Sequence, residues 1–223
     1  MIGNKLVKIF LGVAVALFII TFAIAVPILW RDFYFLNVKW LDIEKESGYT
    51  ETQIRDAYNE VMDFLVLGED FGTGELPYSE DGKSHFEDVR ALFVLDFVVL
   101  GVSALYIIAV YVLAKLKVIQ LQYANRSPEV WSLIGLGAFF VVVGIWAVID
   151  FSSLFEVFHH VAFPGKTNWY FSAYTDAIIT ILPEKLWFNF VVLVAGVFVA
   201  FVVAILLTEK IRKLKFAPTE NQQ

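Results

Sequence analysis

The chain contains no cysteine. Disulfides, thiol nucleophiles and thiolate metal sites are therefore excluded, whichever compartment the residues occupy. Charge is scarce as well: 18% of the residues are charged, against about a quarter in an ordinary soluble domain. Histidine is rarer still, with three in 223 residues. Several catalytic signatures are missing too. There is no H-E-x-x-H zinc helix, no G-x-S-x-G nucleophile elbow and no glycine-rich phosphate loop. The longest apolar runs lack the two-residue alternation of a transmembrane β-barrel.

What fills the space is apolar. Hydrophobic residues make up 59% of the chain and mean hydropathy is +0.70. The excess is concentrated in four runs, at about 6–29, 91–114, 131–149 and 188–207. About 20 predominantly apolar residues cross a bilayer as a helix. The expectation is an all-α integral membrane protein, one membrane domain over residues 1–223, with four transmembrane helices. Lys5 and Lys8 precede the first run and Ala23-Ile24-Ala25 resembles a signal cleavage site. The run nevertheless exceeds the ~7–15 residues of a signal h-region, so a retained helix is expected.

Basic residues set the orientation. Lys5, Lys8, Lys115, Lys117, Arg126, Lys210, Arg212, Lys213 and Lys215 all fall on one side of a four-helix weave. That side is expected to be cytoplasmic, together with both termini, in a multi-pass protein of the cell membrane. The opposite side receives two segments, 30–90 and 150–187, which should form an extracytoplasmic cap. Segment 30–90 holds six basic and fifteen acidic residues, a net charge of −9. Nucleic acid is not a partner for such a surface.

Within 30–90 the stretch TETQIRDAYNEVMDFLVLG reads as an amphipathic helix. Thr50 and Gln53 have capping-box spacing, and Ile54, Ala57, Tyr58, Val61, Phe64 and Leu65 recur at three- and four-residue steps. The following GEDFGTGELPYSEDGK reads as loop or short hairpin. In 150–187, Trp169, Tyr170, Phe171, Tyr174 and Trp187 are the aromatics expected at headgroup level. Gly135, Gly137 and Gly144 in the third run read as close-packing positions between helices.

All three histidines, His85, His159 and His160, fall on the outer side of this topology. Imidazole titrates near neutrality and can move a proton without a metal. His85 lies just before the second span and His159 shortly after the third, so the two are expected to be neighbours. In a helix, His159 and His160 diverge by about 100°, so at most one aims at a shared centre. Glu156 would reach His159 or His160, three and four residues on. Glu87, Asp88, Asp150 and Asp176 are further acids near the three rings in sequence. Asp96, inside the second run, is an expensive group in lipid, with Arg90 as a possible partner. Three readings stay open from these residues: an imidazole acid–base enzyme, a zinc-dependent membrane hydrolase, and a non-enzymatic lipid-binding or assembly protein.

With those residues in hand, SEDGKSHFEDVR resembles the S-x-x-x-x-x-H-x-x-D-V-[RK] signature of the bacterial lipoprotein intramolecular transacylase family. VFHHVAFPGKTNWYFSAYTDAIITILPEKLWF resembles its second signature, F-H-x-x-F followed by Trp, then D-x-[LI]-I and P-E. His160 and Ala162 depart from that pattern. The resemblance implies an acyltransferase with no metal and no cofactor. Its substrate would be a diacylated lipoprotein among membrane lipids, and the product a lyso-form lipoprotein. By the same resemblance His85 and His159 fall on the family's catalytic histidines. Asp88, Arg90, Asp176 and His160 are then candidates for orienting imidazoles or gripping the substrate.

Overall fold

The computed structural model describes residues 2–121 and 127–215, and among these no strand occurs. Nine helices follow one another: α1 (Ile2–Leu29), α2 (Arg31–Trp40), α3 (Ile43–Ser47), α4 (Glu51–Leu67), α5 (Glu80–Lys115), α6 (Pro128–Ile149), α7 (Phe151–Ala162), α8 (Ile178–Ile181) and α9 (Glu184–Lys215), counted among the described residues. Four are long and apolar enough to cross a membrane, over Lys5–Leu29, Glu80–Lys115, Pro128–Ile149 and Glu184–Arg212. Each contains one of the four expected runs. Arg126 and the C-terminus lie outside the described residues.

The chain divides into two compact units. The first comprises Met1–Ala23, Val99–Val142 and Val194–Gln223. Its core is Leu11, Val15 and Ile19 of α1 against Val110, Leu133 and Phe198. Phe140 stacks on Phe198 at 4.3 Å, and Phe201 meets Phe18 and Phe22 edge-on. α1 is the central helix: 39% of its most apolar window is buried, against 6–17% for the other three. The close approach in this unit is made by Gly12, whose carbonyl accepts from Ser132 Oγ at 2.5 Å. A Cβ on Gly12 would sit 3.6 Å from Pro128. The glycines expected to serve this purpose do not. At Gly135, Gly137 and Gly144 a Cβ would meet nothing within 4 Å.

The second unit comprises Ile24–Val98 and Val143–Leu193. α4 forms where its pattern placed it. Thr50 accepts from the Gln53 amide, and the Gln53 side chain accepts from the Thr50 amide. The whole expected stripe, Ile54, Ala57, Tyr58, Val61, Phe64 and Leu65, is buried. It packs on α2, where Tyr34 stacks on Tyr58 at 3.6 Å and donates its hydroxyl to the Ile181 carbonyl. Arg31 of α2 binds Asp63 at 2.6 Å and Asn59 at 3.2 Å. The buried Asn37 accepts from Asn189 of α9 at 2.5 Å.

Two features differ from the sequence reading. α2 and α3 stand where only α4 was expected. After α4 the loop alternative holds over residues 68–79, but α5 already begins at Glu80, inside the stretch read as loop or hairpin. The cause is Ser79, whose Oγ accepts from the Gly82 amide and whose carbonyl accepts from Lys83 N–H, so it caps the helix.

Candidate functional site

The site is built on two helix ends of the second unit. α5 reaches His85 within two turns of its start, and that start is fixed by Asp176. The Asp176 carboxylate is 3% exposed and accepts from the Ser79 amide at 2.8 Å and the Ser79 hydroxyl at 2.9 Å. A second hydroxyl, from Thr175, donates to it at 2.7 Å. Gly82 makes room: a Cβ there would lie 2.0 Å from Asp176 Oδ1. Asp176 thus anchors the cap that starts the histidine-bearing helix.

α7 carries the other rings. Asp150 caps it by accepting from the Ser153 amide at 3.0 Å. Leu154, Val157, Phe158 and Val161 follow the helical period on one side, where the last three are exposed. His159 lies on the buried side, 8% exposed. Its Nδ1 is 2.7 Å from the Phe155 carbonyl. A carbonyl can only accept, so Nδ1 carries the hydrogen and the lone pair stands on Nε2. Burial holds His159 below its ordinary value of 6.5, partly offset by that hydrogen bond. The ring is therefore neutral and basic at Nε2 around neutral pH.

His85 and His159 meet with ring centroids 5.9 Å apart. His85 is 6% exposed, and its Nδ1 is buried without a hydrogen-bond partner. Phe163 and Phe171 stand edge-on to it at 4.9 and 5.3 Å. Trp169 stacks on His159 at 4.7 Å, with Tyr170 stacked behind it at 3.7 Å. Two imidazoles in one apolar pocket cannot both hold a proton cheaply, since a proton on one opposes a proton on the other.

The remaining candidates separate clearly. His160 turns outwards, as the helical angle requires, 3.6 Å from Glu156 and edge-on to Trp169. Asp88, one turn beyond His85, pairs with Lys166 and accepts from Asn168 at 3.0 Å. Arg90 does not pair with Asp96; its guanidinium lies over Phe64 at 5.0 Å and against Gly68. Asp96 keeps one buried oxygen without a partner. Among the described residues no three His, Asp or Glu side chains converge on a possible metal site. Sequence reasoning had not singled out Ser79, Lys166 or Asn168, and had placed Trp169 only among headgroup aromatics. No local pattern marks them, because their partners lie 78 to 97 residues away.

Four membrane-length helices, and a pair of imidazoles sunk among aromatic rings in the second unit, define an integral membrane protein with a candidate site for proton transfer. The model of the family described as lipoprotein intramolecular transacylase Lit matches residues 9–188, and the chain belongs to that family. Among solved structures, that of the integral membrane lipoprotein intramolecular transacylase Lit from Bacillus cereus superposes with a TM-score of 0.81 at 20% identity. The match covers 95% of this chain and 98% of that one. A structure of the same Bacillus cereus protein with its H85R mutation gives 0.73 at 19% identity, covering 95% and 94%. An uncharacterized protein of Aquifex aeolicus is 27% identical over 136 residues. That alignment spans 60% of this chain and 57% of the length of that curated relative.

Proposed function

We propose that the chain is an intramolecular acyltransferase acting on diacylated lipoproteins. The observation that carries this reading is the pair of buried imidazoles, His85 and His159, brought from two helices to a centroid distance of 5.9 Å. The reaction moves the sn-2 acyl chain of an S-diacylglyceryl cysteine onto the α-amino group of the same cysteine, leaving a lyso-form lipoprotein.

His159 Nε2 takes a proton from the α-ammonium, a role for which its Nδ1–H bond to Phe155 fixes the tautomer. The freed amine attacks the ester carbonyl carbon, and the carbon–oxygen bond to glycerol breaks as the amide bond forms. As the amide forms the nitrogen sheds its second proton, and the departing glycerol oxygen takes that proton up. His85, with its buried Nδ1 unpartnered, is suited to relay that proton from nitrogen to oxygen through its two ring nitrogens, or to hydrogen-bond the developing oxyanion. Donor and acceptor belong to one molecule, so the site need only hold amine and ester together. No thiol is called for, in keeping with a chain that has none.

The basic flanks support placing the termini in the cytoplasm and the imidazole pocket at the outer leaflet, where lipid-anchored substrate and membrane lipids lie. Asp176 acts through the start of α5, as a positioning residue. His160 stands outside the imidazole pair.

The test is mass spectrometry of a reporter lipoprotein's N-terminal peptide from cells expressing the chain or its His159→Ala variant. One acyl group should move from glycerol to the amine with the parent chain alone. A free amine and intact diacylglyceryl group in both would overturn the reading.

A further inference from the structure

Residues 163–171 form a strap between α7 and the rest of the second unit, and its shape is set by few contacts. Phe163 ends α7 with its amide on the His159 carbonyl at 2.8 Å. Gly165 takes a positive φ of 76° and turns the chain back. The turn is closed locally by Lys166 N–H to Phe163 O at 3.1 Å, and by Trp169 Nε1 donating to Lys166 O at 3.1 Å. The ion pair and hydrogen bonds that tie the strap's middle to α5 converge on one turn of that helix. Lys166 Nζ pairs with Asp88 Oδ1. Asn168 Nδ2 donates to Asp88 Oδ2 at 3.0 Å and to Ser84 Oγ at 3.3 Å. Both Asp88 oxygens are thus committed to the strap, and Ser84 and Asp88 flank His85 on its own helix.

The strap's payload is Trp169. Between two residues held by Asp88 on one side and Tyr170 on the other, it is laid face-on against His159. Phe163 and Phe171, at the strap's two ends, are the rings edge-on to His85. One short segment therefore supplies three of the aromatic walls of the imidazole pocket. It also bridges the helix of His85 to that of His159. A diacylglyceryl headgroup cannot reach rings that are 6% and 8% exposed while those walls are in place.

We infer that residues 163–171 are a lid over the imidazole pair, and that Asp88 is its latch, holding Lys166 and Asn168. Closed, the latch sets the separation and tilt of the two rings; released, it admits the ester and the amine. Asp88 is then a positioning residue that does not touch substrate. An ion pair half open to water, backed by the Asn168 side-chain hydrogen bonds, suits this task, because such contacts are individually weak and reversible. The inference rests on the acyltransferase reading for its consequence in turnover, though not for the lid itself.

The experiment uses the full chain in lipid nanodiscs, with Asp88→Asn, Lys166→Gln, Asn168→Ala and the exchanged pair Asp88→Lys with Lys166→Asp. Trp169 emission is obtained by difference from a Trp169→Phe background, because the chain has six tryptophans. Opening of the lid should raise acrylamide quenching of Trp169 in each single variant, and the exchanged pair should restore part of the protection. Turnover of a diacylated lipopeptide should fall about 10- to 100-fold in kcat with KM unchanged or lower, the cost of misplacing reacting groups by an ångström. Quenching equal to that of the parent in all three single variants would overturn the lid. A raised KM with unchanged kcat would overturn the latch in favour of direct substrate binding by Asp88. If Asp88→Asn does not fold, Lys166→Gln and Asn168→Ala decide both points. Should the parent chain itself transfer no acyl group, the acyltransferase reading fails while the quenching result still judges the lid.

Discussion

Leu105 and Ile54 are aliphatic side chains on helices of one chain, yet Leu105 is 69% exposed and Ile54 is fully buried. They mark the contrast between the two compact units. In the first, Val102, Leu105 and Ile108 line the outside of α5, and the buried cluster is small. In the second, α2, α3, α4 and α8 bury a continuous core, and α4 turns a charged face outwards. The first is built for a solvent as apolar as itself, where no hydrophobic force drives helices together and packing and polar contacts do. In the second, α4 follows the rules of a water-soluble domain, with one face buried and the other charged. The proposed catalytic pair lies in the second, where a packed interior can hold two imidazoles in place.

The sharpest way to break that contrast is at the imidazoles. His159→Ala and His85→Ala should each lower acyl transfer by roughly 10²–10⁴-fold, the usual contribution of a positioned acid or base. His160→Ala, whose ring faces Glu156, should leave transfer near the parent rate. Assay of the lipopeptide product, at matched membrane levels, checks all three. Equal losses at His159 and His160 would remove the distinction the geometry draws.

Next comes the medium each unit expects. Leu105→Arg places a charge mid-helix on a lipid-facing surface and should cost about 2.5–3.5 kcal/mol of insertion. Thr52→Arg, on the exposed face of α4, should change stability by no more than about 0.5 kcal/mol. Yield of inserted protein and thermal unfolding in nanodiscs distinguish them. Tolerance of Leu105→Arg would mean that this face is not in lipid.

Much of this was legible beforehand, for definite reasons. Four apolar runs read as spans because nothing else buries 20 such residues in a row. α4 was readable because capping and periodicity agree within 17 residues. The divergence of His159 and His160 followed from helical geometry alone. What escaped depends on distant partners. α2 is ten residues long and keeps Asn37 buried through Asn189, 152 residues on. α5 starts early because of Asp176, which lies 97 residues beyond Ser79. The glycines of α6 were misread for the same reason. Small residues invite close packing, but only tertiary contacts say whether a neighbour comes, and it comes to Gly12 instead.

Gly82→Ala tests the second unit's internal precision. Its new methyl would overlap the Asp176 carboxylate, so stability should fall by about 1–3 kcal/mol, the typical cost of overpacking. The same change should lower kcat, because the α5 start that carries His85 must shift. Thermal unfolding and the transfer assay read the two effects together. A stable, fully active variant would show that Asp176 does not fix that start.

Acid should expose a smaller difference. His159 is held below 6.5 by burial, so the folded chain refuses a proton that the unfolded chain accepts. Stability therefore decreases as pH falls through 6.5 towards the depressed folded value, and it is unaffected above. As the proposed base, His159 remains neutral through the same window, which puts the acid limb of kcat/KM assigned to it below 6.5. Unfolding midpoints against pH for the parent and His159→Gln should diverge only there. Divergence above 6.5 would reverse the sign of the shift.

The smallest effect tests whether α4 behaves as a helix of a soluble domain. Thr50→Ala removes the side chain that accepts from the Gln53 amide and should cost about 1 kcal/mol. Gln53→Ala removes the reciprocal bond to the Thr50 amide and also the contact with Glu75. If the two side chains act as one box, the double variant should lose less than the sum of the single losses, because either removal already opens the box. Equilibrium unfolding of the three variants measures the coupling directly. Strict additivity would mean that the start of α4 is held by its buried stripe, Ile54 to Leu65, and that the cap merely decorates it.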